Sequence, residues 1–147
     1  MGGREVDDSG RREGERPSAF TPILCDLVRS TAGACGAVFT DRDGECVDYF
    51  SHITPFDLKV IGAHASLLVS LLAQDGVVIS GPLAFSGSRL SLWILPLGEG
   101  YTLTLAMERR TWSGDMEGAL DRAWRALRSE AGIRLRPGKR QSQRRNQ

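Results

Sequence analysis

The sequence predicts an α+β fold in which three helices accompany one five-stranded antiparallel sheet. Three observations point to this class. Two short strand-like runs flank a tight turn, a long helix with two apolar stripes follows, and three further runs alternate apolar with polar residues. The predicted order is helix, two strands, helix, three strands, helix, with the central helix on one face of the sheet.

A first helix and a hairpin precede the central helix. Apolar residues recur at i, i+3, i+4 and i+7 over residues 20–31, which predicts an amphipathic helix capped by Thr21 or Ser18. Strands are expected at Gly36–Thr40 and Glu45–Phe50. The Asp-Arg-Asp-Gly segment between them is typical of a hairpin turn, because Asp favours the turn entry and Gly tolerates a positive φ.

The central helix is predicted at Pro55–Gln74, with Thr54 as its cap and proline at its first position. At about 100° per residue, its apolar side chains form two separate stripes. The first stripe contains Phe56, Val60, Leu67 and Leu71, and the second contains Leu58, Ile61, Ala65, Val69 and Leu72. One stripe is enough for a helix that lies on a single sheet, so the second predicts a contact outside the fold.

Small or short polar residues run between the two stripes and predict a seam for close approach of a partner. The residues expected to bind a second subunit or a partner are Lys59, Gly62, Ala63, Ser66, Ser70 and Ala73. The alternative interpretation is an ordinary solvated stripe.

The second half of the chain predicts a three-stranded meander and a last helix. Strands are expected at Val78–Phe85, Arg89–Pro96 and Tyr101–Glu108, and a helix at about Asp115–Ala131. Gly81-Pro82 interrupts the first of these strands, which indicates either a bulge or an edge position, and an edge is where a second chain can pair. The large side chains Phe85, Leu92, Trp93 and Leu103 indicate a filled core rather than a roomy ligand pocket.

Length and charge predict one domain with two polar ends. A chain of 147 residues supports a single core, expected at 18–133, while residues 1–17 read as a disordered charged arm. Residues 134–147 read as a basic, disordered tail that contains six cations and no acid: Arg134, Arg136, Lys139, Arg140, Arg144 and Arg145. The tail has no aromatic residue to stack on bases, so we expect weak contact with an acidic partner or membrane surface and no specific nucleic acid.

A cytoplasmic location is expected. The amino-terminal residues are polar, and no apolar run approaches the roughly 20 residues that cross a bilayer. The three cysteines, Cys25, Cys35 and Cys46, show no disulfide or zinc-site spacing and are expected to be free thiols.

Motifs for catalysis, metals and cofactors do not emerge from the sequence. It has no Gly-x-x-x-x-Gly-Lys-Ser/Thr phosphate loop, so it is not itself predicted to be a P-loop GTPase. His52 and His64 are expected to be structural or solvent-facing, and Cys35 is expected to be a small buried side chain. We therefore expect no catalytic residue, no metal and no cofactor.

Three stretches in this order resemble the roadblock/dynein light chain (roadblock/LC7) family. They are AVFTDRDGECVDYF at 37–50, IGAHASLLVSLL at 61–72 and RLSLWILPLGEGYTLTLAM at 89–107, and the resemblance covers about residues 18–131. It implies a homodimer, or a dimer with a paralogous subunit, in which two sheets join edge to edge and two central helices lie side by side. It also implies the absence of a cofactor.

The resemblance further implies a scaffold or regulator of a small Ras-like GTPase, since bacterial members accompany polarity and gliding-motility GTPases and some activate them. If an arginine acts in trans on the GTPase, the candidates are Arg42 and Arg89, with Arg109 and Arg110 as further ones. The alternatives are a purely structural dimerisation adaptor and a small-ligand sensor.

Overall fold

The computed structural model describes residues 16–108 and 114–133 and confirms the predicted order of elements. The helices and strands are α1 (Thr21–Arg29), β1 (Ala34–Thr40), β2 (Cys46–Ser51), α2 (Pro55–Gln74), β3 (Leu83–Ser86), β4 (Ser91–Gly98), β5 (Tyr101–Met107) and α3 (Gly114–Ala131). The predicted basic tail, Arg109, Arg110 and all but two residues of the predicted charged arm lie outside the described residues.

The five strands form one antiparallel sheet in the order β2-β1-β5-β4-β3. β1 and β5 pair over most of their length and occupy the centre, which leaves β2 and β3 as the two edges. Side chains alternate across the sheet, so each strand contributes to both faces. The expectation that the strand after α2 lies at an edge is confirmed.

One face of the sheet carries the larger core, covered by α1 and α3. Phe39, Leu103 and Leu105 from the central strands are fully buried there with Leu24 of α1 and Leu127 of α3. Burial of each such side chain is worth about 1.5–3 kcal/mol. Because this layer holds most of the buried apolar side chains, it supplies most of the apolar burial of the fold.

A buried carboxylate fixes the start of α1. Asp48 of β2 accepts hydrogen bonds from the hydroxyl groups of Ser18 and Thr21 and, at 2.8 Å, from the backbone N–H of Tyr49. The helix begins after Phe20, with no side-chain cap, so the prediction of a Thr21 or Ser18 cap is wrong. These hydroxyl groups hold the helix to the sheet through Asp48 instead.

The other face of the sheet is smaller, more polar and covered by α2 alone. Val38 and Thr40 of β1 lie on it, beside their cross-strand partners Thr104 and Thr102 of β5. The hydroxyl groups of Thr102 and Thr104 are fully buried and find no hydrogen-bond partner within the described chain. Gly62 of α2 sits directly above, since a Cβ there would lie 2.8 Å from Val38 Cγ1 and 3.0 Å from Thr40 Cγ2.

Strand β3 is shorter than the predicted Val78–Phe85 and pairs with β4 only as far as the Leu83–Ile94 pair. Proline at position 96 lacks an amide hydrogen, and its carbonyl accepts a hydrogen bond of 3.0 Å from Trp124 Nε1 of α3. The ladder therefore stops before the Gly81-Pro82 pair, and Val78 is 88% exposed.

By length and composition alone α2 could cross a membrane, since it has 20 residues and its most apolar 18-residue window has a mean hydropathy of 1.5. The expectation that no apolar run approaches this size is therefore wrong. The helix nevertheless lies flat on the sheet through Leu58, Gly62 and Ala65, and Asp57, Lys59 and His64 interrupt its apolar surface.

Replacing Thr104 by valine should stabilise the fold by about 1 kcal/mol, because it removes a buried hydroxyl that has no partner and keeps the shape of the side chain. Urea unfolding followed by circular dichroism measures the change. Thr40→Val is the matched control, since the equally buried Thr40 hydroxyl donates to the Thr102 carbonyl at 3.4 Å. A Thr104→Val variant that is no more stable than Thr40→Val would contradict this account.

Replacing Gly62 by alanine should destabilise the protein relative to Gly118→Ala by about 1–3 kcal/mol, because the new methyl group overlaps Val38. Both substitutions gain about 1 kcal/mol of helix propensity, and a Cβ at Gly118 meets only Arg122 Nη1 at 3.6 Å. The free energies of unfolding of the two variants give the difference, and a Val38→Ala change should recover part of it. Equal stabilities would mean that α2 does not approach the sheet this closely.

Candidate functional site

The inner side of α2 is the second of the two predicted stripes. Leu58 and Ala65 are buried against the sheet, and Ile61, Val69 and Leu72 are half-buried at the margins. Leu58 of this stripe packs with Val38, Tyr49 and Ala106 in the smaller core. The prediction that one stripe serves the protein's own sheet is confirmed.

The first stripe faces outwards, and we name it the outer stripe. Its members are exposed to 68% for Phe56, 37% for Val60, 56% for Leu67 and 50% for Leu71. At about 5.4 Å per turn the stripe runs along most of the helix, with Phe56 near one end and Leu71 near the other. A continuous apolar surface of this kind typically marks a site of interaction with another protein.

Two of the predicted partner-binding residues are placed elsewhere by the structure. Gly62 and Ser66 are buried on the side of α2 that faces the sheet. Ser66 Oγ donates a hydrogen bond of 3.1 Å to the backbone carbonyl of Asp41. They allow α2 to approach its own sheet and the β1–β2 turn, so the folded chain does not expose them to a partner. Helical spacing located the small residues correctly but could not decide which neighbour they approach.

The other four predicted residues, Lys59, Ala63, Ser70 and Ala73, are exposed. Lys59 and Ala63 lie on the flank of α2 that faces β2 and the β1–β2 turn. The ammonium of Lys59 stands 4.9 Å from the ring centroid of Tyr49, and the carbonyl of Ala63 is 3.5 Å from the Cβ position of Gly44. These contacts brace this flank within the protomer.

The opposite flank of α2 faces the sheet edge at β3. A shallow groove of about 400 Å³ lies there, lined by Ile61 of α2, Phe85 of β3, Leu92 of β4 and the turn that carries Arg89. Phe85 is 43% exposed, and Leu92 and Trp93 are half-buried, so only Leu103 of the predicted core set is fully buried. The large side chain of Phe85 is predicted to fill the core, but its strand lies at an edge and α2 does not cover it.

Arg42 and Arg89 are exposed at opposite ends of the sheet. Arg42 lies in the β1–β2 turn, where its Nη2 donates a hydrogen bond of 3.5 Å to the carbonyl of Glu99 in the β4–β5 turn. Arg89 lies in the β3–β4 turn, at the other end of the eight-residue strand β4. At about 3.4 Å per residue the two turns are roughly 25 Å apart, so the structure does not bring these arginines together.

The other reactive side chains do not form a site. Cys35 is buried, its Sγ donates to the carbonyl of Ala106 at 3.3 Å, and burial raises the pKa of its thiol, with a further contribution from the Glu108 carboxylate. His52 is exposed with its ring edge-on to Phe50, and His64 is exposed on α2. Over residues 16–108 and 114–133, no group of three or more His, Cys, Asp or Glu side chains is placed to hold a metal ion.

No protein-family model matches the sequence, and no curated protein sequence matches it. Solved structures do match in three dimensions. MglB of Myxococcus xanthus superposes with a TM-score of 0.65 at 16% identity over 80% of this chain and 98% of that one. A Roadblock/LC7 domain of Streptomyces avermitilis gives a TM-score of 0.63 at 17% identity over 76% of this chain and 96% of that one.

The gliding protein MglB of Thermus thermophilus gives a TM-score of 0.61 at 22% identity over 79% of this chain and 90% of that one. These structures are matched over nearly their whole length, and the helices and strands of this chain follow the order that the sequence predicted. The chain therefore has a roadblock/LC7-type fold.

Proposed function

We propose that this chain is a cytoplasmic, non-catalytic, dimeric regulator or scaffold that binds a small Ras-like GTPase through α2. The observation that carries the proposal is the outer stripe, in which Phe56, Leu67 and Leu71 are at least half exposed on a helix whose other side is buried. Each large side chain buried in a complex contributes about 1.5–3 kcal/mol before the cost of association. The likeness of the fold to MglB of Myxococcus xanthus and to the gliding protein MglB of Thermus thermophilus supports this class of function.

The second copy fits best at the edge formed by β3. This strand pairs only with β4, and the groove between Ile61 and Phe85 continues its edge towards α2. A strand of another protomer can add to such an edge, because its outward N–H and C=O groups have no ladder partner among the described strands. This arrangement brings two α2 helices together on the same face and joins two outer stripes into one surface.

The GTPase fits best on that combined surface. It is apolar along its centre, and each copy adds exposed polar residues at the flank, among them Lys59 and Ser70. A rim of this composition around an apolar centre is the usual anatomy of a protein interface. Binding there would order the switch segments of the GTPase and orient its own catalytic residues.

Replacing Leu67 by lysine should abolish binding of the GTPase and weaken self-association, because it places a charge at the middle of the outer stripe. Val47→Lys is the matched control, since Val47 is 39% exposed but lies on β2 at the far edge of the sheet. Light scattering after size exclusion gives the mass relative to the 16.1 kDa chain, and calorimetry with the Ras-like GTPase encoded nearest in the genome gives the affinity.

We expect the parent protein and Val47→Lys to have twice the chain mass and equal affinity for the GTPase. A parent protein that is monomeric at all concentrations would overturn the dimer, and a Leu67→Lys variant with unchanged affinity would overturn the docking surface. An unaltered dimer without GTPase binding would instead favour the structural adaptor.

Arg42→Ala and Arg89→Ala should each change GTP hydrolysis by the bound GTPase less than about tenfold, whereas loss of an arginine finger costs roughly 10³–10⁵-fold. The two side chains lie at opposite ends of β4, and neither lies on the outer stripe. Single-turnover phosphate release at saturating protein measures the effect. A loss of roughly 10³-fold or more with unchanged affinity would show that the substituted arginine acts directly on the nucleotide.

A further inference from the structure

A second, larger groove lies on the face of the sheet opposite to α2. It has a volume of about 850 Å³ and lies between the first half of α3, strand β4 and residues 79–82. Its apolar lining includes Leu95 of β4 and Leu120 and Trp124 of α3. Leu120 and the neighbouring Met116 are already buried, so the core of the fold is packed without an occupant in this groove.

Two carboxylates line the α3 side of this groove. Glu117 and Asp121 are one helical turn apart and both are exposed. Asp121 also pairs with Arg125 at 3.1 Å, but both side chains are more than half exposed, so this pair is worth about 0–1 kcal/mol and can exchange partners. A groove with apolar side chains beside two carboxylates can bind a peptide with basic side chains, because the carboxylates can pair with its cations.

The described chain ends close to this groove. Ile133 is buried, and its Cγ2 lies 3.4 Å from the Cβ position of Gly98 at the end of β4. Pro96, two residues earlier on the same strand, lines the groove. Ile133, the last described residue, therefore lies within about 7 Å, measured along the strand, of the groove's nearer end.

The segment that follows Ile133 in the sequence has the complementary charge. Residues 134–147 contain six arginine and lysine residues and no acid. Fourteen residues can span up to about 46 Å, whereas the stretch of α3 from Glu117 to Trp124 covers only about 10 Å. The length is sufficient for the segment to run along the whole groove.

We propose that the α3–β4 groove is the binding site of the chain's own basic segment, residues 134–147, with Glu117 and Asp121 as the groups that select its cations. The site lies on the α3 face, so an occupied groove leaves the outer stripe on α2 free. The inference does not depend on the proposed GTPase function. Its consequence is that a basic peptide from another protein has to displace this segment to bind there.

Carbodiimide coupling of the full chain tests the proposal, because Lys59 and Lys139 are its only lysines. Proteolysis and mass spectrometry identify the carboxylate joined to Lys139. We expect coupling to Glu117 or Asp121 within one chain, and a fall of at least about fivefold in 1 M salt, where the Debye length is about 3 Å. Coupling of Lys139 mainly to other carboxylates, or a yield that does not depend on salt, would overturn the proposal.

A variant that fills the groove separates binding from chance encounter without removing either carboxylate. Gly118 lines the groove, and a Cβ there meets only Arg122 Nη1, so Gly118→Leu should fold normally and lower the Lys139 coupling at least fivefold. Gly118→Ala is the matched control and should retain it. Equal coupling in the two variants would contradict the site.

Mixing chains of natural and ¹⁵N isotope content identifies the source of the segment. Products that carry one label throughout are expected from binding within a chain. Products in which Lys139 and its carboxylate carry different labels would overturn that assignment in favour of exchange between copies.

Discussion

The approach of α2 to β1 at Gly62 is the contact on which the position of the outer stripe depends. With no side chain at this position, the helix axis can lie close to Val38 and Thr40, and Leu58 and Ala65 reach the sheet on either side. A bulkier residue would lift the helix and expose the buried threonine hydroxyls of β5 to water. The same close approach turns Phe56, Leu67 and Leu71 away from the sheet. The absence of a Cβ atom at Gly62 thus determines both how α2 packs on the sheet and which side of the helix remains exposed.

The two faces of the sheet differ in what they contribute. The face towards α1 and α3 holds Phe39, Leu103 and Leu105, all fully buried, and is anchored by Asp48 at the start of α1. The face towards α2 is smaller and includes two buried hydroxyl groups without partners in the described chain. Since an unpaired buried hydroxyl costs about 1–3 kcal/mol, the α2 layer adds less to stability than its area suggests. A second copy or a partner on the outer stripe would compensate for this deficit.

The element order and the two-sided character of α2 could be predicted from the sequence because both depend on local periodicity. The stripes of α2 follow from a period of 3.6 residues, and the β1–β2 turn follows from Asp41 and Gly44, whose φ is +80°. What could not be predicted depends on tertiary neighbours. Small residues such as Gly62 and Ser66 allow close approach of either a partner or the protein's own sheet. Only the position of β1 in the fold decides between the two.

The errors at the sheet edge have the same origin. Residues 78–82 have the composition of a strand, but their neighbour on β4 is Pro96, whose carbonyl is engaged by Trp124. The pairing partner of a residue is set by strand register, which cannot be deduced from the sequence of one strand alone. For that reason the prediction that Phe85 fills the core is wrong, and its side chain lines an open groove. The larger groove beside α3 had no signal in the sequence at all, because its walls come from three separate segments.

The separation of the outer stripe from the main core has a consequence for how such proteins diverge. Substitutions at Phe56, Val60, Leu67 or Leu71 alter the exposed surface of α2 but leave the core beneath α1 and α3 intact. The side chains of the outer stripe can therefore change in size and polarity while the protein stays stable enough to fold. This chain shares its fold with the three bacterial structures at only 16–22% identity, so the arrangement of helices and strands is compatible with very different sequences.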